Sequence, residues 1–260
     1  MRKTTDHGVC RMTVLADVER VDESWRSWTG AHGGLLAGIA LEHAGRLVPG
    51  LPARAVHVSF LSAVRSDEVR VSADLVKSGR SSSTVTARLE AGDKLALLAT
   101  ATFGGGDTGP DSPALALPPV PDVNDLAPFT LPPGLVPFAQ HIEFRPVGSV
   151  PLSGGDSPVL TSWVRLVAPP ARPESAATVL LDVLAPALYA TRTTPVPIPT
   201  VELAVHFTEA AHTFPAADWA FARIHTEHAT AGWCVDASEL WTRDGTLIAT
   251  ARQTRRILAV

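Results

Sequence analysis

One carboxylate in this sequence is conspicuous because its surroundings are apolar. Asp182 is the only charged residue between Ala176 and Ala190, a run whose length and composition predict a buried helix. Partial desolvation of a carboxylate makes it a better general base near neutral pH. Two other interpretations stay open: Asp182 caps a helix, or it points to solvent through a gap in a sheet. Pro186 is compatible with the first, because a proline four residues on would start a fresh helical segment.

Gln253 is a second candidate for chemistry. In the last predicted strand, alternation puts its side chain on one face with three apolar residues, Leu247, Ala249 and Ala251. A core-facing amide needs hydrogen-bond partners, and a water or a substrate carbonyl would serve. The alternative is that the strand has left the core by then, with Arg255 and Arg256 in solvent.

Thr200 opens a predicted strand after a proline-rich connection. It shares a face with Glu202, Ala204 and His206, the more polar side of the strand. Alternation therefore does not place Thr200 in the core. Taken alone, it is a residue of a strand start or a turn.

A pair of glycines precedes another apolar run. His32, Gly33 and Gly34 lead into Leu35–Arg46, which predicts a helix. Glycines let a ligand approach the backbone, and free N–H groups at a helix start favour developing negative charge. A tight entry turn explains the two glycines equally well.

The elements around these residues occur twice. A helix-length apolar run and four strand-like stretches follow one another in each half, with Gly92-Asp93 and Asp244-Gly245 as hairpin turns. The predicted strands of the first half are Val56–Phe60, Glu68–Val76, Ser81–Glu90 and Leu95–Phe103. In the second half the predicted helix is Ala176–Tyr189, and the predicted strands are Val201–Phe207, Trp219–Glu227, Trp233–Trp241 and Leu247–Ile257.

A proline-rich stretch separates the two halves. Prolines exclude both helix and central strand, so this stretch is predicted to be an extended linker lying over a surface. We therefore divide the chain into a first repeat (1–103), a linker (104–137) and a second repeat (138–260) that carries the presumed catalytic residues.

A long apolar helix followed by antiparallel strands is best covered by a curved sheet. The predicted fold is α+β, a double hotdog of two tandem repeats in which an antiparallel sheet wraps a long helix. Over nearly its full length the chain resembles the type II acyl-CoA thioesterase family. The segments that carry the resemblance are His32-Gly33-Gly34, Asp182, Pro199–Phe207 and Leu247–Gln253.

The resemblance implies an activity and a site. In that family an Asp, a Thr or Ser, and a Gln jointly hold the hydrolytic water, and Asp182, Thr200 and Gln253 occupy those motif positions. It implies hydrolysis of acyl-CoA to free acid and CoA, with Asp182 as general base or, in a variant, as the nucleophile of an anhydride. His32, Gly33 and Gly34 would bind substrate. A backbone amide at this helix start, which would lie across the interface between the two repeats from Asp182, would polarise the thioester oxygen.

The first repeat offers no such residues. Aligning the halves sets Ala53 against Thr200, Phe103 against Gln253 and a position near Leu35 against Asp182. None of these can orient water, so one active centre per chain is expected.

Two other function classes stay open. One is a hotdog hydratase or dehydratase, which would need an Asp–His or Glu–His pair near the substrate, and no spacing in the sequence resembles that signature. The other is a double hotdog that binds acyl-CoA without catalysis. The carrier is either CoA or an acyl carrier protein, and Arg252, Arg255 and Arg256 either meet CoA phosphates or form a solvated edge.

Composition excludes several classes of partner. Twenty-two basic and 26 acidic residues give a formal charge of -4, which is not the footprint of a nucleic-acid binder. No apolar run is long enough to span a membrane, no histidines stand at metal-ligand spacing, and no cofactor is expected. The polar start Met1–His7 and the two cysteines, Cys10 and Cys234, favour a cytoplasmic protein, and the family resemblance implies a role in fatty acid metabolism. Sheet edges need covering, so a homo-oligomer is expected.

Overall fold

The computed structural model describes residues 13–106, 109, 112, 114–132, 134 and 136–258. The predictions that concern Met1–His7 and Cys10 lie outside the described residues. So do three prolines of the predicted linker, Pro110, Pro113 and Pro133.

The first half contains the predicted helix and all four predicted strands, and one further strand. Its elements are β1 (Thr13–Arg20), α1 (Gly33–Arg46), β2 (Ala53–Phe60), β3 (Glu68–Ser78), β4 (Ser83–Ala91) and β5 (Lys94–Phe103). The predicted Gly92-Asp93 hairpin is confirmed: Ala91 pairs with Lys94, and Gly92 takes a φ of +60°, which a glycine adopts without strain.

The second half has the predicted strands but a shorter helix. Its elements are β6 (Ile142–Pro146), β7 (Val159–Leu166), α2 (Pro173–Leu180), β8 (Thr200–Phe207), β9 (Ala220–Thr230), β10 (Trp233–Thr242) and β11 (Leu247–Arg256). The prediction of one long helix over Ala176–Tyr189 is wrong. After α2 ends, a separate 3-10 turn over Ala187–Ala190 begins behind Pro186.

The 11 strands of the described residues form one antiparallel sheet in the order β1-β3-β4-β5-β2-β8-β11-β10-β9-β7-β6. The two halves meet where β2 pairs with β8, with Val56 opposite Val205 and Val58 opposite Leu203. In the alignment of the two halves, Val56 corresponds to Leu203 and Val58 corresponds to Val205. A rotation that exchanges the halves therefore converts the Val56–Val205 pair into the Leu203–Val58 pair. The junction therefore has the two-fold pseudo-symmetry expected of a duplicated unit.

The two helices pack against each other on one side of the sheet. Helix α1 also packs on β2, β3, β4 and β5, and α2 also packs on β7. Small residues allow a close approach, and the Ser175 hydroxyl of α2 donates to the Gly38 carbonyl of α1 at 3.1 Å. One apolar cluster includes residues of both helices and of both halves of the sheet.

The described part of the proline-rich segment lies against the second half. The indole N–H groups of Trp163 and Trp241 donate to the carbonyls of Pro121 and Leu115, both at 3.0 Å. Val123 is buried in the same aromatic cluster.

Candidate active site

The site begins where α2 stops. Pro186 has no N–H, so it cannot give the i to i−4 bond to the carbonyl of Asp182, and it disfavours helical geometry at the residue before it. The freed Asp182 carbonyl accepts from His32 Nε2 at 3.0 Å, and the Leu181 carbonyl accepts from Gln253 Nε2 at 3.3 Å. Asp182 therefore lies in the turn after α2 and not within a long helix, which corrects the sequence-based placement.

The Asp182 carboxylate faces the first turn of α1. Its Oδ2 atom accepts the N–H of Gly34 at 2.7 Å, and its side chain is 8% exposed. The glycines are needed here: a Cβ on Gly34 would lie 2.9 Å from the Asp182 Cβ, and a Cβ on Gly33 would lie 3.1 Å from its Oδ2. The start of α1 lies across from Asp182, but the Gly34 N–H donates to the Asp182 carboxylate and is not free to polarise a thioester oxygen.

His32 is the N-cap of α1, and both of its ring nitrogens are engaged. Nδ1 accepts the Leu35 N–H at 3.2 Å, which leaves the proton on Nε2 to donate to the Asp182 carbonyl. Nε2 is also 3.6 Å from Asp182 Oδ2. Burial lowers the pKa of His32 below its usual 6.5, against the opposing effect of Asp182, so the ring is neutral. His32 thus positions Asp182 and has no free nitrogen for a substrate.

Thr200 and Gln253 are in contact. The Thr200 hydroxyl donates to Gln253 Oε1 at 3.1 Å, and Gln253 is fully buried. Strand alternation alone put Thr200 on the polar face. A β-bulge changes this orientation. Glu202 pairs with Thr254 and Thr200 pairs with Arg255, so Val201 is an extra residue in β8. The extra residue turns the Thr200 side chain to the face of Gln253.

Two charged residues in the same cluster were not predicted. Arg255 is 4% exposed: its Nη1 donates to Thr200 Oγ1 at 2.9 Å, and its Nη2 lies 3.7 Å from Asp182 Oδ1. Asp236 of β10 is fully buried, 2.9 Å from Arg255 Nε. The interpretation of Arg255 as a solvated or phosphate-binding residue is wrong. The sequence does contain a signal for the burial of Arg255. The strand alternation that turns Gln253 towards the core also turns Arg255, two residues later, to the same face.

Strand register corrects the alignment of the two halves. Ala53 pairs with Phe103 as Thr200 pairs with Arg255, and Val56 pairs with Ala101 as Leu203 pairs with Gln253. The first-half counterpart of Gln253 is therefore Ala101, and that of Arg255 is Phe103.

The counterpart of Asp182 also differs from the expected one. Glu42 Oε1 contacts the N–H of Arg172 at the start of α2 at 3.4 Å, as Asp182 contacts Gly34 at the start of α1. Glu42, and not a residue near Leu35, thus corresponds to Asp182. The buried Glu174 side chain accepts the Ala53 N–H at 3.0 Å, so this end of the helix pair is filled.

Neither a metal cluster nor a membrane helix occurs in the part of the chain that the structure describes. Its His, Cys, Asp and Glu residues form no group of three or more that would hold a metal ion. Its helices are too short or too polar to cross a bilayer.

Fold and site together define a hotdog-type protein in which the buried Asp182 carboxylate of one half meets the helix start of the other. Family models agree: the acyl-CoA thioesterase N-terminal domain matches residues 21–104, and the acyl-CoA thioesterase C-terminal domain matches residues 116–257. The chain belongs to the acyl-CoA thioesterase family. No curated relative matches the sequence.

Solved structures share the fold at low sequence identity. A conserved protein of unknown function with a hot dog fold from Alicyclobacillus acidocaldarius has a TM-score of 0.84 at 22% identity, over 94% of this chain and 93% of that one. An acyl-CoA thioesterase II from Mycobacterium marinum has a TM-score of 0.72 at 21% identity, over 88% and 89%. The dehydratase domain of PpsC from Mycobacterium tuberculosis, in complex with C12:1-CoA, has a TM-score of 0.54 at 16% identity, over 98% and 97%.

Proposed function

We propose that this protein hydrolyses acyl-CoA thioesters to free acid and CoA. The proposal is based on one observation: the side chains of Asp182, Thr200 and Gln253, which come from separate elements, lie around the Arg255 guanidinium. Thr200 of β8 bonds Gln253 of β11, and one guanidinium lies 2.9 Å from the Thr200 hydroxyl and 3.7 Å from the Asp182 carboxylate. Family membership supports the same reaction.

Asp182 supplies the base through one oxygen. Oδ2 is bound by the Gly34 amide, whereas Oδ1 has a charge contact but no hydrogen bond to Arg255, because 3.7 Å is too long for one. In the proposed mechanism, Oδ1 takes a proton from a water held by Thr200 and Gln253. That water attacks the thioester carbonyl, and the CoA thiolate leaves.

The acyl group needs an apolar place beside this base. A crevice of about 30 Å³ is lined by Val183, Leu184 and Ala185, the residues directly after Asp182. Phe144 and Leu160 of β6 and β7, and Leu131 of the linker, form its other side. We propose that the acyl chain enters here by displacing these walls, since they offer almost only apolar contacts and the crevice itself has room for no more than a water molecule or two.

A dehydratase is the second candidate, and two observations bear on it. Glu174 Oε1 lies 3.0 Å from His212 Nδ1, but this pair lies at the start of α2, at the other end of that helix from Asp182. The structure brings His32 within 3.6 Å of Asp182 from the other half of the chain, a pair that sequence spacing could not reveal. However, His32 has no free nitrogen to exchange a proton with a substrate, since Leu35 and the Asp182 carbonyl occupy both. This favours hydrolysis.

The test is thiol release from acyl-CoAs of graded chain length, with hydration of enoyl-CoA measured in parallel. We expect hydrolysis by the wild-type protein and a kcat lowered about 10²–10⁴-fold by Asp182→Asn. An asparagine still accepts the Gly34 N–H, so the variant should stay folded. The exposed Asp156→Asn is the matched control. No hydrolysis of any chain length would favour a binding protein, and preferential hydration would favour the dehydratase.

A further inference from the structure

Arg255 is a buried cation whose three nitrogens face three different elements. Nε lies 2.9 Å from Asp236 Oδ2 on β10, Nη1 donates to Thr200 Oγ1 on β8, and Nη2 faces Asp182 Oδ1 in the turn after α2. A guanidinium is a planar fork of donors that stays charged. It therefore fixes the relative orientation of all three partners.

Asp236 anchors this guanidinium and is not itself available as a base. Its Oδ1 accepts the Thr226 hydroxyl at 2.7 Å, and its Oδ2 contacts Arg255 and accepts the Ala187 N–H at 3.4 Å. Both oxygens of Asp236 are thus engaged. Asp182, in contrast, keeps Oδ1 without a hydrogen bond.

Arg255 also sets the direction of a hydrogen-bond chain. Because a guanidinium only donates, the Thr200 oxygen must accept from Nη1 and its proton must point to Gln253 Oε1. The Gln253 amide is then oriented with Nε2 towards the Leu181 carbonyl. The second N–H of Gln253 and the remaining lone pair of Thr200 are left to hold a water.

The Nε and Nη2 atoms of Arg255 are both buried without a hydrogen-bond partner among the described residues, so its contact with Asp236 at 2.9 Å is an ion pair that lacks hydrogen-bond geometry. At 3.7 Å from Asp182 Oδ1, Nη2 neutralises the carboxylate without occupying the oxygen that accepts the proton. We propose that Arg255 is a positioning residue for the reaction proposed above: it places a positive charge beside Asp182 Oδ1 and keeps Thr200 and Gln253 oriented, with Asp236 as its ion-pair partner. The inference rests on the proposed function.

The kinetic test compares Arg255→Lys and Arg255→Gln with wild type. Lysine keeps the charge but loses the fork, so we expect kcat to fall about 10-fold in that variant and about 10²-fold in Arg255→Gln, with KM changed less than about 2-fold. The control is Arg252→Lys, since Arg252 lies on the opposite face of β11 and pairs with Glu227 at 2.7 Å. Methylguanidinium should restore activity to Arg255→Ala. An unchanged kcat, or a change in KM alone, overturns the inference.

A second measurement keeps the inference testable without activity. Removing Arg255 leaves Asp182 and Asp236 as buried carboxylates without their shared counter-charge. The double variant Arg255→Gln/Asp236→Asn should therefore melt at a higher temperature than Arg255→Gln, and Asp182→Asn should be coupled to Arg255→Gln in a double-mutant cycle. If the wild-type protein hydrolyses no acyl-CoA, the proposed function is wrong. If the changes in melting temperature caused by the single substitutions simply add in the double variants, the contacts of Arg255 with Asp182 and Asp236 are refuted.

Discussion

The two carboxylates that share Arg255 differ in what their oxygens touch. Both oxygens of Asp236 are bound, while Asp182 gives one oxygen to Gly34 and keeps the other. A buried ion pair costs desolvation, and a hydrophobic replacement of the whole set would often be as stable. The arrangement is therefore better explained by chemistry at the free oxygen of Asp182 than by stability.

The neutral state of His32 predicts a pH-dependent stability. Burial lowers its pKa in the folded protein below the usual 6.5, so below about pH 6.5 the unfolded chain binds a proton that the folded chain does not. Stability should fall as the pH drops through that range. We expect wild type to lose more melting temperature between pH 7.5 and 5.5 than His32→Asn, which keeps an N-cap. Equal losses in both proteins would contradict this.

The buried thiol of Cys234 should be inert. Burial, and secondarily Asp236, raise its pKa to about 11, so only about 10⁻³ of it is thiolate at pH 8. In a Cys10→Ser background, Cys234 should react with a disulfide reagent far more slowly in the native protein than after unfolding. Equal rates in the two states would refute this burial.

At the scale of elements, the sequence predicts what depends on local periodicity. The strand alternation that makes β11 inward-facing at Gln253 is visible in the sequence and also includes Arg255. Pro186 already indicates in the sequence that no single helix continues to Tyr189, because a proline disfavours helical geometry at the residue before it. In these two cases the information was present in neighbouring residues.

Other features depend on contacts between distant segments. The orientation of Thr200 follows from a bulge that appears only when β8 pairs with β11. The approach of His32 to Asp182, and of Asp236 to Arg255, comes from helix and strand packing across the chain. The first-half counterpart of Gln253 is Ala101 and not Phe103, because the chain from β2 to β5 is shorter than that from β8 to β11, and only the strand register shows this.

The crossing of α1 and α2 provides a test at this scale. A Cβ on Gly38 would lie 3.3 Å from the Ser175 carbonyl oxygen and 3.5 Å from Val179 Cγ2. Valine there would push the helices apart, at a cost of about 1–3 kcal/mol in the free energy of unfolding. Gly105→Ala is the control, because its Cβ would meet nothing within 4 Å. A Gly38→Val protein that melts like the control would show that the crossing tolerates the added volume.

At the scale of the whole molecule, the two repeats share one sheet and one apolar core. The β2–β8 pairing and the helix contact both cross between them, so neither repeat buries its inner face alone. Calorimetry of the full chain should therefore give one unfolding transition whose calorimetric and van't Hoff enthalpies agree. Two resolved transitions would mean that the repeats unfold independently.

The pseudo-symmetry of the chain poses the question of a second site, and the residues at the other end of the helix pair answer it. There, Ala53 occupies the position that corresponds to Thr200 of the Asp182 site, and Phe103 occupies the position that corresponds to Arg255. Glu174 fills the space beside Ala53, and the Arg172 guanidinium lies 5.4 Å from the centre of the Phe103 ring. Ala53, Ala101 and Phe103 therefore offer no hydroxyl or amide at the positions that correspond to Thr200, Gln253 and Arg255.

We therefore expect one substrate site per chain. Because Asp182→Asn should bind acyl-CoA without turning it over, calorimetric titration of that variant measures the stoichiometry directly. The expected value is one acyl-CoA per chain, and Glu174→Gln should leave it unchanged, because the amide oxygen still accepts the Ala53 N–H and the pocket stays filled. A stoichiometry of two would mean that the first repeat also binds substrate, despite the side chains that occupy its end of the helix pair.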